Sequence, residues 1–251
     1  MRLIGSPFSP FSRKVQLVLD HKGLEYELIN GGTPEAHEEL RALNRRAEVP
    51  VLIDGDLTIV NSADIVAYLD YVHPEPPVHP SKLADRVAAR AWERLSDSTV
   101  DAILVDISLW SWANRPDKMP DGMLEAAQRD LDDIYAQLET ALEDEAFIVG
   151  DTISIADLAL FPHLSASGVL GVPIDPDRFP KLVDWLGRMF ALPICQRDIE
   201  RVRDFMPKRA ELGLEMDKIG WRGDRIEWVL ARGFHDWLLG EIRADRVIWP
   251  L

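Results

Sequence analysis

Gly5-Ser6-Pro7-Phe8-Ser9-Pro10-Phe11-Ser12 is the stretch of sequence that decides the fold. It follows a short apolar run, residues 1–4, which predicts a strand that Gly5 and Pro7 bring to an end. Ser9 and Pro10 are residue types favoured at the N-cap and in the first turn of a helix. A hydroxyl and free backbone N–H groups then face the space above the strand end, which suits an anionic or thiolate ligand. The alternative role for Ser9 is that of a helix cap alone.

The remainder of residues 1–72 alternates between strand and helix patterns. A helix with apolar residues three and four apart runs from Pro10 to about Lys22 and closes at Gly23. A second strand is predicted at 26–29, an irregular helical stretch at 33–43, and a hairpin at 51–60 around Asp-Gly-Asp. Ser62 is predicted to cap the next helix. This βαβ-ββα order predicts a small mixed sheet covered by helices.

The second half of the chain reads as helix throughout. Residues 73–81 hold four prolines within eight positions and predict an extended linker. Helices are predicted at 82–114, 121–144, 154–168 and 179–192, which makes 82–195 an all-helical unit. Ser154 and Asp157 have capping-box spacing at the start of the third helix, and we assign them a folding role, not a catalytic one.

Composition narrows the functional class. The chain has 251 residues, 47% of them hydrophobic, and a formal net charge of −15. Such a charge disfavours nucleic acid and anionic membranes as partners. Cys195 is the single cysteine, which excludes an internal disulfide and a thiolate metal cluster, and no metal site is expected. With neither a secretory signal pattern nor an apolar run of membrane-spanning length, we expect a cytoplasmic protein.

Together, these features resemble the cytosolic glutathione transferases over about residues 1–195. The position of Ser9, six residues before the apolar Val15, is similar to that of the catalytic serine in the serine-type plant and bacterial classes. No tyrosine precedes Tyr26, and no cysteine occupies the loop. The resemblance implies a thioredoxin-like domain in which Ser9 activates the thiolate of glutathione, the co-substrate, for attack on a small hydrophobic electrophile.

The same resemblance implies the other site residues. Val49-Pro50 matches a cis-proline motif whose preceding residue pairs with the cysteinyl backbone of glutathione. Asn61 and Ser62 match the helix start that holds the γ-glutamyl carboxylate. Two residues depart from the family pattern: Asn61 replaces an acidic residue or glutamine, and Glu48 faces the glycyl carboxylate and repels it unless Arg45 or Arg46 compensates.

Further implications concern the helical half and the subunits. Trp110 or Trp112 is expected to line the electrophile pocket, with core packing or a subunit interface as the alternative. A homodimer is expected, in which Asp97 or Asp101 contacts the ammonium group of glutathione bound to the neighbouring subunit. The rival to an enzyme is a non-catalytic binding or regulatory protein on the same scaffold.

Residues 196–251 exceed the usual length of the family. Four of the eight tryptophans lie within the last 31 residues. A helical stripe is predicted from five apolar residues, Ile226, Leu230, Phe234, Trp237 and Ile242. So much aromatic surface requires burial. Three roles are open for this extension: to close over the active site, to brace the helical half, or to join a dimer. Bracing is the simplest of the three.

Overall fold

The structure, a computed structural model, describes residues 1–112, 117–211, 219–220 and 222–249. Its first part holds a sheet of four strands: β1 (Arg2–Gly5), β2 (Glu27–Asn30), β3 (Val51–Asp54) and β4 (Leu57–Val60). The strand order is β2-β1-β3-β4, with β1 parallel to β2 and antiparallel to β3. Helices α1 (Pro10–His21), α2 (Pro34–Leu43) and α3 (Ser62–Val72) cover the sheet. The predicted thioredoxin-like fold is confirmed.

Alternation along β1 explains why both faces of the sheet are covered. Leu3 and Leu52 face each other across β1 and β3 and lie in the main hydrophobic core. Their neighbours Ile4 and Val51 point to the opposite face and pack with Leu40 of α2. Successive strand residues point to opposite sides, so two adjacent apolar positions require a cover on each side.

The second part is helical, as predicted. It comprises α4 (Leu83–Leu95), α5 (Asp101–Trp112), α6 (Met123–Ala141), α7 (Ile155–Leu164), α8 (Pro180–Ala191) and α9 (Pro193–Glu211). One wide π turn, Ser96–Val100, joins α4 to α5, so the long helix predicted from residue 82 is nearly continuous. The division into units ending at residues 72, 81 and 195 stays a prediction, and α9 runs across position 195 without a break.

The predicted capping box is present at the start of α7. Asp157 is fully buried and accepts hydrogen bonds from the backbone N–H and hydroxyl of Ser154. It also accepts from the backbone N–H of Ile148 and from the indole N–H of Trp185 on α8. The same carboxylate therefore caps α7 and ties it to the preceding loop and to α8.

Helix α1 lies between the sheet and the helical half, with every residue from 12 to 19 buried. Arg13 pairs with Asp198 of α9 and also donates to the carbonyl oxygen of Pro162 in α7. Lys14 pairs with Glu93 of α4 and with Asp97. Apolar spacing alone predicts that one face of α1 is buried, but two buried ion pairs allow its polar face to be covered as well.

The C-terminal extension contains two short helices, α10 (Gly223–Ala231) and α11 (His235–Arg243). A two-residue parallel pair, β5 (Ile219–Gly220) and β6 (Val247–Ile248), flanks them. Gly233, with φ of 85°, separates the helices, so the predicted single stripe is wrong. Leu230 and Ile242 are exposed, whereas Trp228 and Leu238 are buried.

The extension packs on the helical half, which fits bracing, the simplest of the three roles considered. Helix α10 packs against α5. Arg225 forms a bidentate ion pair with Asp101, and the indole N–H of Trp228 donates to Asp130. Trp237 packs on Trp110 with their ring centroids 5.5 Å apart. Within the described ranges, no helix is both long and apolar enough to span a bilayer.

Candidate functional site

The register of the sheet brings three predicted site segments to one edge. Val51 faces Ile4 near the end of β1 and also faces Val60 at the end of β4. The loop after β1, the segment before β3 and the turn after β4 therefore share this edge. Neighbouring strands lie about 4.8 Å apart, so the three segments span about 10 Å. This span matches an extended tripeptide at about 3.3 Å per residue.

Ser9 is the N-cap of α1 and is partly exposed. Its Oγ accepts the backbone N–H of Ser12 at 3.4 Å. Among the described residues, no oxygen accepts the hydroxyl proton of Ser9, which is free to donate to a ligand. Pro10 starts the helix, as the sequence predicted.

The two neighbouring serines differ from Ser9 in their surroundings. Ser12 is fully buried, and its Oγ has no hydrogen-bond partner in the described part of the chain. A Cβ on Gly5 would lie 3.3 Å from Cβ of Ser12, so glycine allows the strand end to pack closely on α1. Ser6 Oγ accepts the backbone N–H of Phe8 within the loop. Of the three hydroxyls, only that of Ser9 is both partly exposed and at the helix start.

The segment before β3 has the expected backbone. The Val49–Pro50 peptide is cis, and Pro50 is buried while Val49 is partly exposed. A Cβ on Gly31 would lie only 2.9 Å from Cγ1 of Val49, so glycine at the end of β2 makes room for this side chain. The backbone of Val49 therefore lies at the same sheet edge as the Ser9 loop.

The turn after β4 corrects one prediction. Asn61, not Ser62, is the N-cap of α3, with φ of 75° and its Oδ1 accepting the backbone N–H of Ala63 at 3.0 Å. Ser62 is the first helical residue and is largely buried. No described residue hydrogen-bonds its Oγ. Because both residue types are good caps, the sequence alone did not decide between them.

Glu48 forms an ion pair with Arg46 of the same loop. Arg46 donates from Nε and Nη2 to the two carboxylate oxygens of Glu48, at 2.8 and 3.0 Å. This hydrogen bond and the charge of Glu48 raise the pKa of the Arg46 guanidinium. The compensation predicted for Glu48 is thus present, and it comes from Arg46.

Two aromatic residues close to Ser9 in the sequence, Phe8 and Phe11, contact other parts of the chain. Phe8 meets Phe205 of α9 edge to face, with ring centroids 5.0 Å apart. Phe11 lies under the guanidinium of Arg222, from the C-terminal extension. Sequence reasoning missed Phe205 and Arg222, because nothing local in the sequence ties them to the loop.

The two tryptophans predicted to line an electrophile pocket lie on α5. Trp110 is partly buried, donates its indole N–H to the carbonyl oxygen of Asp117 at 3.1 Å, and packs on Trp237. The side chain of Trp112 lies outside the described residues. The contacts of Trp110 fit the packing alternative, and its role as a pocket residue stays a prediction.

The structure argues against Asp97 and Asp101 as acceptors for a neighbouring subunit. Asp97 is occupied by Lys14 at 2.5 Å. Asp101 is nearly fully buried and pairs with Arg225. Nε2 of His163 lies 3.5 Å from Oδ1 of Asp101. Burial alone would raise the pKa of the Asp101 carboxyl, but Arg225 and His163 together lower it. Both carboxylates are therefore engaged inside their own chain.

Cys195 does not provide a reactive thiol. Its side chain is fully buried. Burial, and to a lesser degree the charge of Asp198, raises the pKa of the thiol to about 12. A thiol with this pKa stays protonated near neutral pH and is a poor nucleophile. A chemical role at this sheet edge therefore falls to hydroxyl and backbone groups.

Comparisons with known proteins agree with this geometry. Residues 3–77 match the family described as "Glutathione S-transferase, N-terminal domain", and residues 108–193 match "Glutathione S-transferase, C-terminal domain". Glutathione S-transferase U14 of Arabidopsis thaliana is 29% identical over 227 residues, covering 84% of this chain and 87% of its own. Glutathione S-transferase U1 of the same plant is 26% identical, covering 87% and 94%.

A solved structure adds a bound ligand to the comparison. It is a glutathione S-transferase from Methylobacterium radiotolerans in complex with glutathione sulfonate, and it is 27% identical to this chain. The match has a TM-score of 0.65 and covers 78% of this chain and 93% of the other.

Proposed function

Because this chain belongs to the cytosolic glutathione S-transferase superfamily, we propose that it is a transferase that ionises the thiol of glutathione at Ser9. The thiolate then attacks a small apolar electrophile held against the helical half. The observation that carries the proposal is the free hydroxyl of Ser9 at a helix N-terminus, on the sheet edge it shares with Val49 and Ser62.

Three parts of glutathione have a partner at this edge: the cysteinyl backbone, the γ-glutamyl carboxylate and the sulfur. The backbone of Val49 pairs with the cysteinyl unit in the manner of an added strand. The free hydroxyl of Ser62 and the N–H groups that open α3 bind the γ-glutamyl carboxylate. Ser9 then faces the sulfur. The relatives named as glutathione transferases and the neighbour with glutathione sulfonate bound support this assignment.

The energy required for ionisation is modest. A free cysteine thiol has a pKa of about 8.5, and lowering it to about 6.5 needs about 2.7 kcal/mol. A hydrogen bond to a charged group contributes about 1.5–3 kcal/mol. The N-terminus of α1 adds about 0.3–1 kcal/mol for a nearby anion. Ser9 and the helix start together supply about 1.8–4 kcal/mol, a range that includes the energy required.

The type of reaction depends on the electrophile, since the same thiolate can carry out several reaction types. Conjugation, dehalogenation, ether cleavage and isomerisation begin with the same attacking sulfur. The isomerase subgroup is disfavoured because Phe8-Ser9-Pro10 replaces its Ser-Ser-Cys loop. We further propose a cytoplasmic homodimer, in keeping with the family.

One observation favours a second candidate, a non-catalytic binding or regulatory protein. Asn61 replaces the acidic residue or glutamine that holds the ammonium group of glutathione in the family. Its side-chain oxygen is already bound to the backbone N–H of Ala63. Loss of that ammonium contact weakens glutathione binding and leaves the scaffold open to another use.

A titration and a turnover assay separate the two candidates. Glutathione is titrated calorimetrically into the full chain, and turnover of chlorodinitrobenzene is then followed in the same preparation. The enzyme predicts saturable binding and glutathione-dependent turnover. Absence of both contradicts the transferase and favours the regulatory protein.

A further inference from the structure

We propose that Arg222 is a specificity-determining residue that selects electrophiles carrying a carboxylate. The inference rests on the proposed function, because it concerns the molecule that a thiolate at Ser9 attacks. It also gives the C-terminal extension a role at the site, in addition to bracing α5 and α6.

The position of Arg222 is the first part of the argument. Its guanidinium carbon lies 4.6 Å from the centroid of the Phe11 ring. Phe11 is the second residue of α1 and follows Ser9 by two positions. The backbone of Arg222 is the N-cap of α10, and its carbonyl oxygen accepts the N–H of Ile226 at 3.2 Å. The backbone of Arg222 is thus fixed at the start of α10, while the Arg222 side chain reaches the first turn of α1.

The second part is that the guanidinium has donors to spare. Arginine carries five N–H donors. Within the described ranges of the chain, no oxygen accepts a hydrogen bond from Arg222 and no carboxylate pairs with it. Asp101, whose carboxyl pKa the charge of Arg222 helps to lower, is already held by the two nitrogens Nε and Nη2 of Arg225, at 3.1 and 3.0 Å. The guanidinium carbon of Arg222 lies over the Phe11 ring, and among the described residues no acceptor meets the guanidinium N–H groups.

The third part is the chemistry of the surroundings. A planar guanidinium fork matches a carboxylate in a bidentate arrangement. The rings of Phe8, Phe11 and Phe205 offer apolar surface for the rest of an electrophile. The chain carries a net charge of −15, so an anionic molecule is repelled by the protein as a whole. A local cation near the first turn of α1 is therefore needed to hold one, and Arg222 provides it.

The test compares an acid with its neutral ester. Para-chloro-meta-nitrobenzoate and its methyl ester both react with a thiolate: the sulfur bonds to the ring carbon, chloride leaves with the bonding pair, and the thiol proton passes to solvent. Values of kcat/KM are measured for the wild type and for Arg222→Gln, Arg222→Lys and Arg203→Gln. Arg203 is an exposed arginine of α9 and controls for the lost charge.

We expect Arg222→Gln to lower kcat/KM for the acid by about tenfold, the loss of one charge-assisted hydrogen bond. The ester is expected to change less than about twofold, Arg222→Lys to retain part of the activity on the acid, and Arg203→Gln to match the wild type. An equal loss for acid and ester overturns the inference. A rise in the KM for glutathione alone also overturns it, because the guanidinium then serves the co-substrate.

Binding distinguishes this inference from the proposed function. If the wild type converts neither compound, the transferase proposal fails on its own. Calorimetry with the unreactive meta-nitrobenzoate then decides the anion site. Weaker binding to Arg222→Gln by about tenfold supports the site, and equal binding to both proteins overturns it.

Discussion

Replacing Asp157 by alanine removes the acceptor that joins α7 to its surroundings. Three N–H donors lose their partner: the backbone groups of Ile148 and Ser154, both at 2.9 Å, and the indole of Trp185 at 2.8 Å. Each buried donor left unpaired costs about 1–3 kcal/mol, so the variant loses about 3–9 kcal/mol. Because a domain is stable by only about 5–15 kcal/mol, this loss is a large share of the total.

Chemical denaturation followed by circular dichroism measures the loss. Asp157→Asn keeps one oxygen for Ile148 and Trp185 but turns an NH₂ group toward the donors of Ser154, so its loss is expected to lie between wild type and Asp157→Ala. Asp151→Ala, at an exposed position in the same loop, is the control. A loss of only about 1 kcal/mol, the cost of an N-cap alone, would refute the reasoning.

Three further predictions concern buried and surface charges. Burial raises the pKa of Asp106 well above its usual range, while the unfolded group ionises near pH 3.9. The free energy of unfolding of the wild type relative to Asp106→Asn is therefore greatest below about pH 4 and falls as pH rises. Denaturation curves that give the same difference between the two proteins at pH 4 and at pH 7 would contradict this. Arg13→Met leaves Asp198 buried without its partner and is expected to lower the free energy of unfolding by about 3–5 kcal/mol. Adding Asp198→Leu should restore most of this stability. If the double variant is no more stable than Arg13→Met, the ion pair is not the cause of the loss. Glu48→Gln releases Arg46 and removes a negative charge, so the Kd for glutathione should fall about fivefold, which corresponds to about 1 kcal/mol of binding free energy. Weaker binding in calorimetry would mean that Glu48 helps to bind glutathione.

Local sequence signals predicted much of residues 1–72 and the start of α7. Ser9-Pro10, the hairpin at 51–60 and the pair Ser154 and Asp157 each carry their information within a few residues, and each has the predicted conformation in the structure. The boundary at Asn61 was missed because two adjacent good caps compete for one position. The turn at Gly233 has a local signal, since a glycine ends many helices, although the apolar spacing around it is that of one continuous helix.

Long-range charges could not be predicted from the sequence. Lys14 meets Glu93 at a separation of 79 residues, and Arg13 meets Asp198 at a separation of 185. A basic residue on a helix predicts a solvated face, and only the packing of α4 and α9 on α1 turns these positions inward. The contact between Phe11 and Arg222 escaped the sequence for the same reason.

The ionisation of enzyme-bound glutathione tests the central proposal most directly. The ultraviolet absorbance of the thiolate is followed against pH in wild type, Ser9→Ala and the control Ser6→Ala. For wild type and Ser6→Ala, the bound thiol should titrate near pH 6.5, about 2 pH units below the free thiol. Ser9→Ala should move the titration at least half of the way back. A bound thiol that titrates at the same pH in wild type and Ser9→Ala would contradict the role of Ser9.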